Sequence, residues 1–230
     1  MYFKERLLLF AIFIFSWMVC YAQNSAGEVV NRIVAVVNER VITLTDLQVA
    51  YAFGLFEQQS EKKAENPLLF VLQRIVDQEV VLEAESENIS VEESELDKAL
   101  TSVMRRFGHD EFEKKLRIFD LSLADFQVFL VRKIIFQKII SRKFEKGIAV
   151  SLEEIEAYYS DVYLPQQEKR GEVPRPLTEM LAEIEARVKE EKKRKQIERW
   201  ISSLKQQAEI EIKFESIMEI KRGEEWSSYE

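Results

Sequence analysis

The sequence predicts a mainly α fold, a helical bundle with a small β-sheet formed by an N-terminal hairpin and a C-terminal strand. Three observations carry that prediction. Between Asp46 and Ala208, apolar residues recur at helical spacing in one segment after another. Near the start, the β-branched run Ile33–Val37 and the short Val41–Thr43 flank Asn38-Glu39-Arg40, a strand–turn–strand signal. Near the end, Glu209–Phe214 alternates polar and apolar residues with period two, so it reads as a strand whose natural partner is the hairpin.

The helices follow in order. Thr45 with Gln48 has the capping-box pattern, so a helix is expected from Asp46, carrying Leu47, Tyr51 and Leu55. Asn66-Pro67 opens the next, with proline at the first helical position and Leu72, Ile75, Val76 and Val80 on its apolar face. Ser90 with Glu93 opens a helix with Leu96, Leu100, Val103, Met104 and Phe107, which Gly108 ends. A short helix carries Phe112, Leu116 and Phe119. Ser122 with Asp125 opens a longer one through Phe144, apolar on nearly every side and therefore expected at the centre of the bundle.

Gly147 breaks that helix, Ile148–Val150 reads as extended, and Ser151 with Glu154 caps a helix ending near Tyr163. Residues 164–176 hold three of the four prolines plus Gly171 and read as a linker. Leu177 to Ala208 forms one long helix. It bears two apolar stripes out of phase, Leu181, Ile184 and Val188, then Ile197, Ile201, Leu204 and Ala208. Glu190–Lys195 (EEKKRK) separates them and reads as a solvated middle, since the acids nearly cancel the basic residues. Residues 215–230 are expected to be a flexible tail.

Composition excludes most catalytic classes. Hydrophobic residues make up 47% and charged residues 32%, which is globular composition. One cysteine excludes a disulfide scaffold and a cysteine metal cluster, and one histidine excludes a histidine-ligated metal site. His109, just after Gly108, reads as a polar turn or cap residue. The acids Glu83, Glu85, Glu87, Glu92, Glu93, Glu95 and Asp97 lack the turn glycine of a calcium loop and read as a solvated face. There is no phosphate-cradling glycine loop and no G-x-S-x-G elbow. A formal charge of −8 argues against a nucleic-acid partner. The expectation is a non-enzymatic chain with no catalytic residues, no metal and no cofactor.

Residues 1–22 read as a secretory signal. Lys4 and Arg6 form a positive n-region, and Leu7–Cys20 is an apolar run of 14 residues. That is shorter than the ~20 residues needed to span hydrocarbon. Cys20-Tyr21-Ala22 fits cleavage after Ala22, and the bulky Trp17-Met18-Val19 before Cys20 is unlike a lipobox. The processed chain would carry −9, because Lys4, Glu5 and Arg6 together hold +1, and would keep no cysteine, which suits an oxidising compartment. The expected location is the periplasm, without stable membrane insertion after cleavage. Retention of the segment would instead anchor the protein to the inner membrane.

The stretch Val30–Leu47 (VNRIVAVVNERVITLTDL) resembles the opening of the SurA-type periplasmic chaperones, with its apolar strand, Val-Asn turn, Val-Ile-Thr strand and Thr-Asp helix cap. Ile75–Leu82 is similar to that family's second helix. Val150–Tyr159 is similar to the extended piece and double-aromatic helix that close its N-terminal domain, and Trp200–Ile212 to its C-terminal helix and strand. The resemblance covers residues 31–163 and 177–214. It implies a fold like the peptide-binding region of SurA and trigger factor. Residues 23–163 would be the N-terminal chaperone region and 177–214 would complete the same domain. The family places parvulin prolyl isomerase domains where this chain has residues 164–176, too short for a domain of roughly a hundred residues. The resemblance implies an ATP-independent holdase for unfolded outer-membrane or envelope proteins, with the outer-membrane assembly machinery as a further partner. A non-enzymatic envelope adaptor binding one folded partner is the alternative.

The candidate client-binding residues are aromatic or polarisable. Tyr51, Phe53 and Phe56 lie in the first helix and the loop after it, Met104 and Phe107 end a helix, and Tyr158, Tyr159 and Tyr163 precede the linker. A groove of such side chains would bind by non-directional apolar burial, and tyrosine adds a polar tip that tolerates exposure.

Overall fold

Thr43 ends a strand and begins a helix, and this junction sets the architecture. A computed structural model describes residues 31–56, 66–144 and 147–213. Strands β1 (Ile33–Val37) and β2 (Arg40–Thr43) form the hairpin, and β3 (Ile210–Ile212) pairs antiparallel with β1, giving the order β2-β1-β3. Asn38 makes this closure possible. It adopts the left-handed conformation that asparagine tolerates (φ 49°), donates its N–H to the Glu209 carbonyl at 2.7 Å and accepts from the Glu209 N–H at 2.6 Å. The turn of the hairpin therefore holds the strand that arrives from the other end of the chain.

The helices are α1 (Leu44–Ala52), α2 (Pro67–Glu85), α3 (Glu93–Phe107), α4 (His109–Ile118), α5 (Leu123–Phe144), α6 (Leu152–Tyr158), α7 (Leu164–Arg170) and α8 (Leu177–Gln207), with a π-helical turn over Tyr159–Tyr163. All belong to one compact unit that begins at Ile33. The mainly helical fold with its three-stranded sheet is the one the sequence predicts. The Asn66 cap, the Ser122–Asp125 and Ser151–Glu154 pairs and the Gly108 stop fall where expected.

Four expectations need correction. The first helix starts two residues early, capped by Thr43 with Asp46 rather than Thr45 with Gln48. Asp46 supplies a charged acceptor at 2.8 Å to the Thr43 N–H, and Leu55 falls beyond the helix end. The third begins at Glu93, capped by Glu92 with Glu95 rather than Ser90 with Glu93, because Glu95 also pairs with Lys138 of α5. The centre of the bundle is α2, not α5. Ten of its nineteen residues are buried, and it packs on α1, α5, α8 and β1. Helix α5 carries Arg132, Lys133 and Lys138 through its middle and buries only Phe126, Leu130 and Ile139.

The fourth correction concerns residues 164–176, of which 164–170 are helical and only 171–176 link. Pro165 lacks an N–H and clashes with the carbonyl four residues back in a regular helix, and the widened π turn just before it accommodates the ring. The signal segment 1–22 and the tail 215–230 lie outside the described residues. Among the described residues, no helix is long and apolar enough to cross a membrane, and no group of three or more His, Cys, Asp or Glu could hold a metal ion.

Candidate functional site

Helix α8 is longer than either core it serves. Its C-terminal half joins the larger core through Ile201, with Ile197, Trp200 and Leu204 packed at the edge. Its N-terminal half supplies Met180, Ile184 and Val188 to a second core completed by Ile155 and Tyr163. The two out-of-phase stripes thus serve two cores, although Leu181 itself is 37% exposed and Met180 takes the buried position.

The smaller core is fastened at its edge by several polar ties. Lys192 reaches from α8 to the Glu154 carboxylate at 2.7 Å and to the Ala149 carbonyl at 2.7 Å. That ammonium, followed by the Ser151 N–H, holds the Glu154 carboxyl below its usual range. Tyr159 and Tyr163 stack at 5.3 Å. The Tyr159 hydroxyl donates to the Arg175 carbonyl at 2.8 Å, and the Tyr163 hydroxyl accepts from the Arg175 N–H at 3.1 Å. These two rings fasten the loop that enters α8.

Between the cores, where α8 passes from one to the other, lies an open trough of about 1440 Å³. Its apolar surface comes from Phe70, Ile140, Tyr158, Ile197, Ile201 and Ile210. Its rim carries both charges, with Arg74, Arg187, Lys193 and Arg194 among Asp77, Glu190, Glu191 and Glu198. Asp77 of α2 ties the two walls together, 2.9 Å from Lys205 of α8, and also lies 3.8 Å from Arg74 on its own helix. The solvated EEKKRK segment is therefore one side of a groove. A surface that sets apolar side chains among both charges can bury side chains of many kinds without demanding one sequence.

The eight candidate residues do not form one groove. Tyr158 lines the trough. Phe56 lines a smaller cleft elsewhere. Tyr51, Met104 and Phe107 are half-buried against the larger core, and the guanidinium of Arg106 and the ammonium of Lys115 lie 5.0 and 5.2 Å from the Phe107 ring centroid. Phe53 is fully buried at the hub of a phenylalanine cluster, 4.4 Å from Phe126 and 5.6 Å from Phe112, so it cannot meet a ligand. Tyr163, 7% exposed, is likewise a core residue, and Tyr159 is committed to Tyr163 and the loop. The seven-residue spacing of Phe112, Phe119 and Phe126 was a signal for that cluster. Phe70 and Ile140 were missed, because neither stands out from its helix in sequence.

No curated protein matches the chain. The model of the SurA-like N-terminal domain matches residues 6–140, well over half of the 230. The chain thus belongs to the SurA-like N-terminal domain family, one of chaperone-type, non-catalytic domains.

Proposed function

We propose that the protein is an ATP-independent holdase of the periplasm, reached through a signal segment cleaved after Ala22. It grips extended stretches of unfolded outer-membrane or other envelope proteins in the trough between its two cores, and releases them to the outer-membrane assembly machinery. The observation that carries this reading is the trough itself, large, open and lined in part by apolar side chains. Burial there is worth ~25 cal/mol per Å² before ordering costs, which yields many weak contacts and ready release. No covalent step is required.

The test is aggregation of a urea-diluted outer-membrane barrel protein followed by light scattering, with the same barrel already folded in detergent as the control. Suppression at near-stoichiometric ratios without binding to the folded barrel is expected. No suppression at large excess would overturn the reading and turn the search to one folded partner. Mass spectrometry of the exported protein is expected to find Gln23 as its first residue.

A further inference from the structure

Strand β3 brings the chain to the edge of the trough. Ile210 is one of the trough's apolar residues, and the strand ends two residues later at Ile212. Lys213 is still tied to the sheet, its N–H donating to the Val34 carbonyl at 2.9 Å. Seventeen residues follow, 214–230, which lie outside the described residues. Along α8 the trough runs from Arg187 to Gln206, ~29 Å at a rise of ~1.5 Å per residue. Seventeen residues span up to ~56 Å when extended and ~25 Å as a helix, so in either form they reach along most of it.

This C-terminal segment has a composition that the trough would accept. Its first seven residues, FESIMEI, set Phe214, Ile217, Met218 and Ile220 around Glu215 and Glu219. The whole segment holds five acids and two bases. The trough leans the other way, with five bases against four acids, in a chain whose formal charge is −8. Two of those bases are unengaged. Lys192 and Lys195 pair with Glu154 and Glu191, but Lys193, half-buried in the trough, and the exposed Arg194 beside it form no ion pair among the described residues. A carboxylate flanked by apolar side chains would give these cations a counter-charge while burying its neighbours. A segment already joined to the trough's edge also meets it at an effective concentration on the order of millimolar.

We propose that residues 214–230 dock in the trough of their own chain, with Phe214–Ile220 against Ile140, Ile197 and Ile201 and with Glu215 or Glu219 beside Lys193 and Arg194, and that an unfolded client must displace them. The docking stands on the trough and the segment, whereas the displacement rests on the holdase reading. The resting protein then carries no bare apolar groove, and only chains that outcompete the segment are held.

The test places a photo-crosslinking amino acid at Met218 of the full chain, without client, and maps the crosslinked peptides by mass spectrometry. Crosslinks within one chain to residues 70–77 of α2 or 187–206 of α8 are expected. Lys193→Glu with Arg194→Glu should cut their yield about tenfold, and adding Glu215→Lys with Glu219→Lys should restore it. Crosslinks between two chains would give the trough to a second copy, and crosslinks confined to α3 or α4, or none at all, would place the segment elsewhere; each overturns the proposal. Ile217→Asp with Met218→Asp, outside both described cores, is expected to bind the unfolded barrel protein about fivefold tighter than the parent, because the trough no longer has to be vacated. Unchanged affinity would overturn the displacement. Suppression of barrel aggregation by a parent whose segment does not crosslink into the trough would leave the holdase reading standing alone. Crosslinks into the trough, with no suppression by the parent or by the Ile217→Asp, Met218→Asp variant, would keep the docking and end the holdase reading.

Discussion

Among the described residues the larger core closes around twenty-three buried side chains drawn from the sheet and six helices, whereas the smaller closes around five. The larger is held by apolar packing, with Phe53 meeting Phe107, Phe112, Phe119 and Phe126 and with α2 buried through its middle. The smaller relies on a capping box, one lysine–carboxylate tie, two tyrosine hydroxyls and the helix it shares. Cooperativity grows with buried area, so the two regions should differ in how firmly they are held. A firm wall and a yielding wall on either side of a trough would suit the proposed holding of chains of varied shape.

The largest effect is expected at Phe53. Phe53→Ala should cost about 3–5 kcal/mol and shift the whole urea transition, seen by circular dichroism. Ile184→Ala should cost about 2–4 kcal/mol, confined to the smaller core. Its signature is faster amide exchange over α6 with the main urea midpoint nearly unmoved. A main transition shifted as far as by Phe53→Ala would show that the two cores unfold as one. Ser151→Ala should cost about 1 kcal/mol by removing the cap of α6, read in the same exchange experiment.

The smallest effect concerns acid. Glu154's carboxyl is depressed, chiefly by Lys192 and next by the Ser151 N–H. A depressed carboxyl contributes stability that is present above its unfolded value, near 4.5, and is lost as pH falls through the folded value. Glu95, held down chiefly by Lys138 and then by the Glu92 N–H, acts with the same sign in the larger core. In Lys192→Met the Glu154 carboxyl midpoint, followed by NMR, should rise toward the ordinary glutamate range while that of Glu95 stays put. An unchanged Glu154 midpoint would show that the tie between α6 and α8 is not formed in solution.

The sheet was legible because a β-branched run and a two-residue alternation have few other readings; the two phases of α8 were visible in sequence, but that they enter two separate cores emerges only from the packing. Cap positions were legible only to within two residues where acids compete for the same N–H groups, as at Asp46 and Glu95. The site was less legible. Spacing puts an aromatic on a face but does not say what covers that face. Arg106 donates to the carbonyls of Phe53 and Gly54 from about fifty residues away, a tie with no local trace in sequence. The trough likewise exists because α8 leaves one core before it enters the next, and the walls brought there by α2 and α5 follow from tertiary packing.

The most direct test is site-specific photo-crosslinking to an unfolded outer-membrane barrel protein. Probes would replace Gln73 and Ser202, which are exposed and line the trough, and Lys98 and Glu113, which are exposed outside it. Crosslinks from Gln73 and Ser202, and not from Lys98 or Glu113, are the predicted result. Equal crosslinking from all four, or crosslinking from Lys98 and Glu113 alone, would contradict the assignment of the trough as the holding surface.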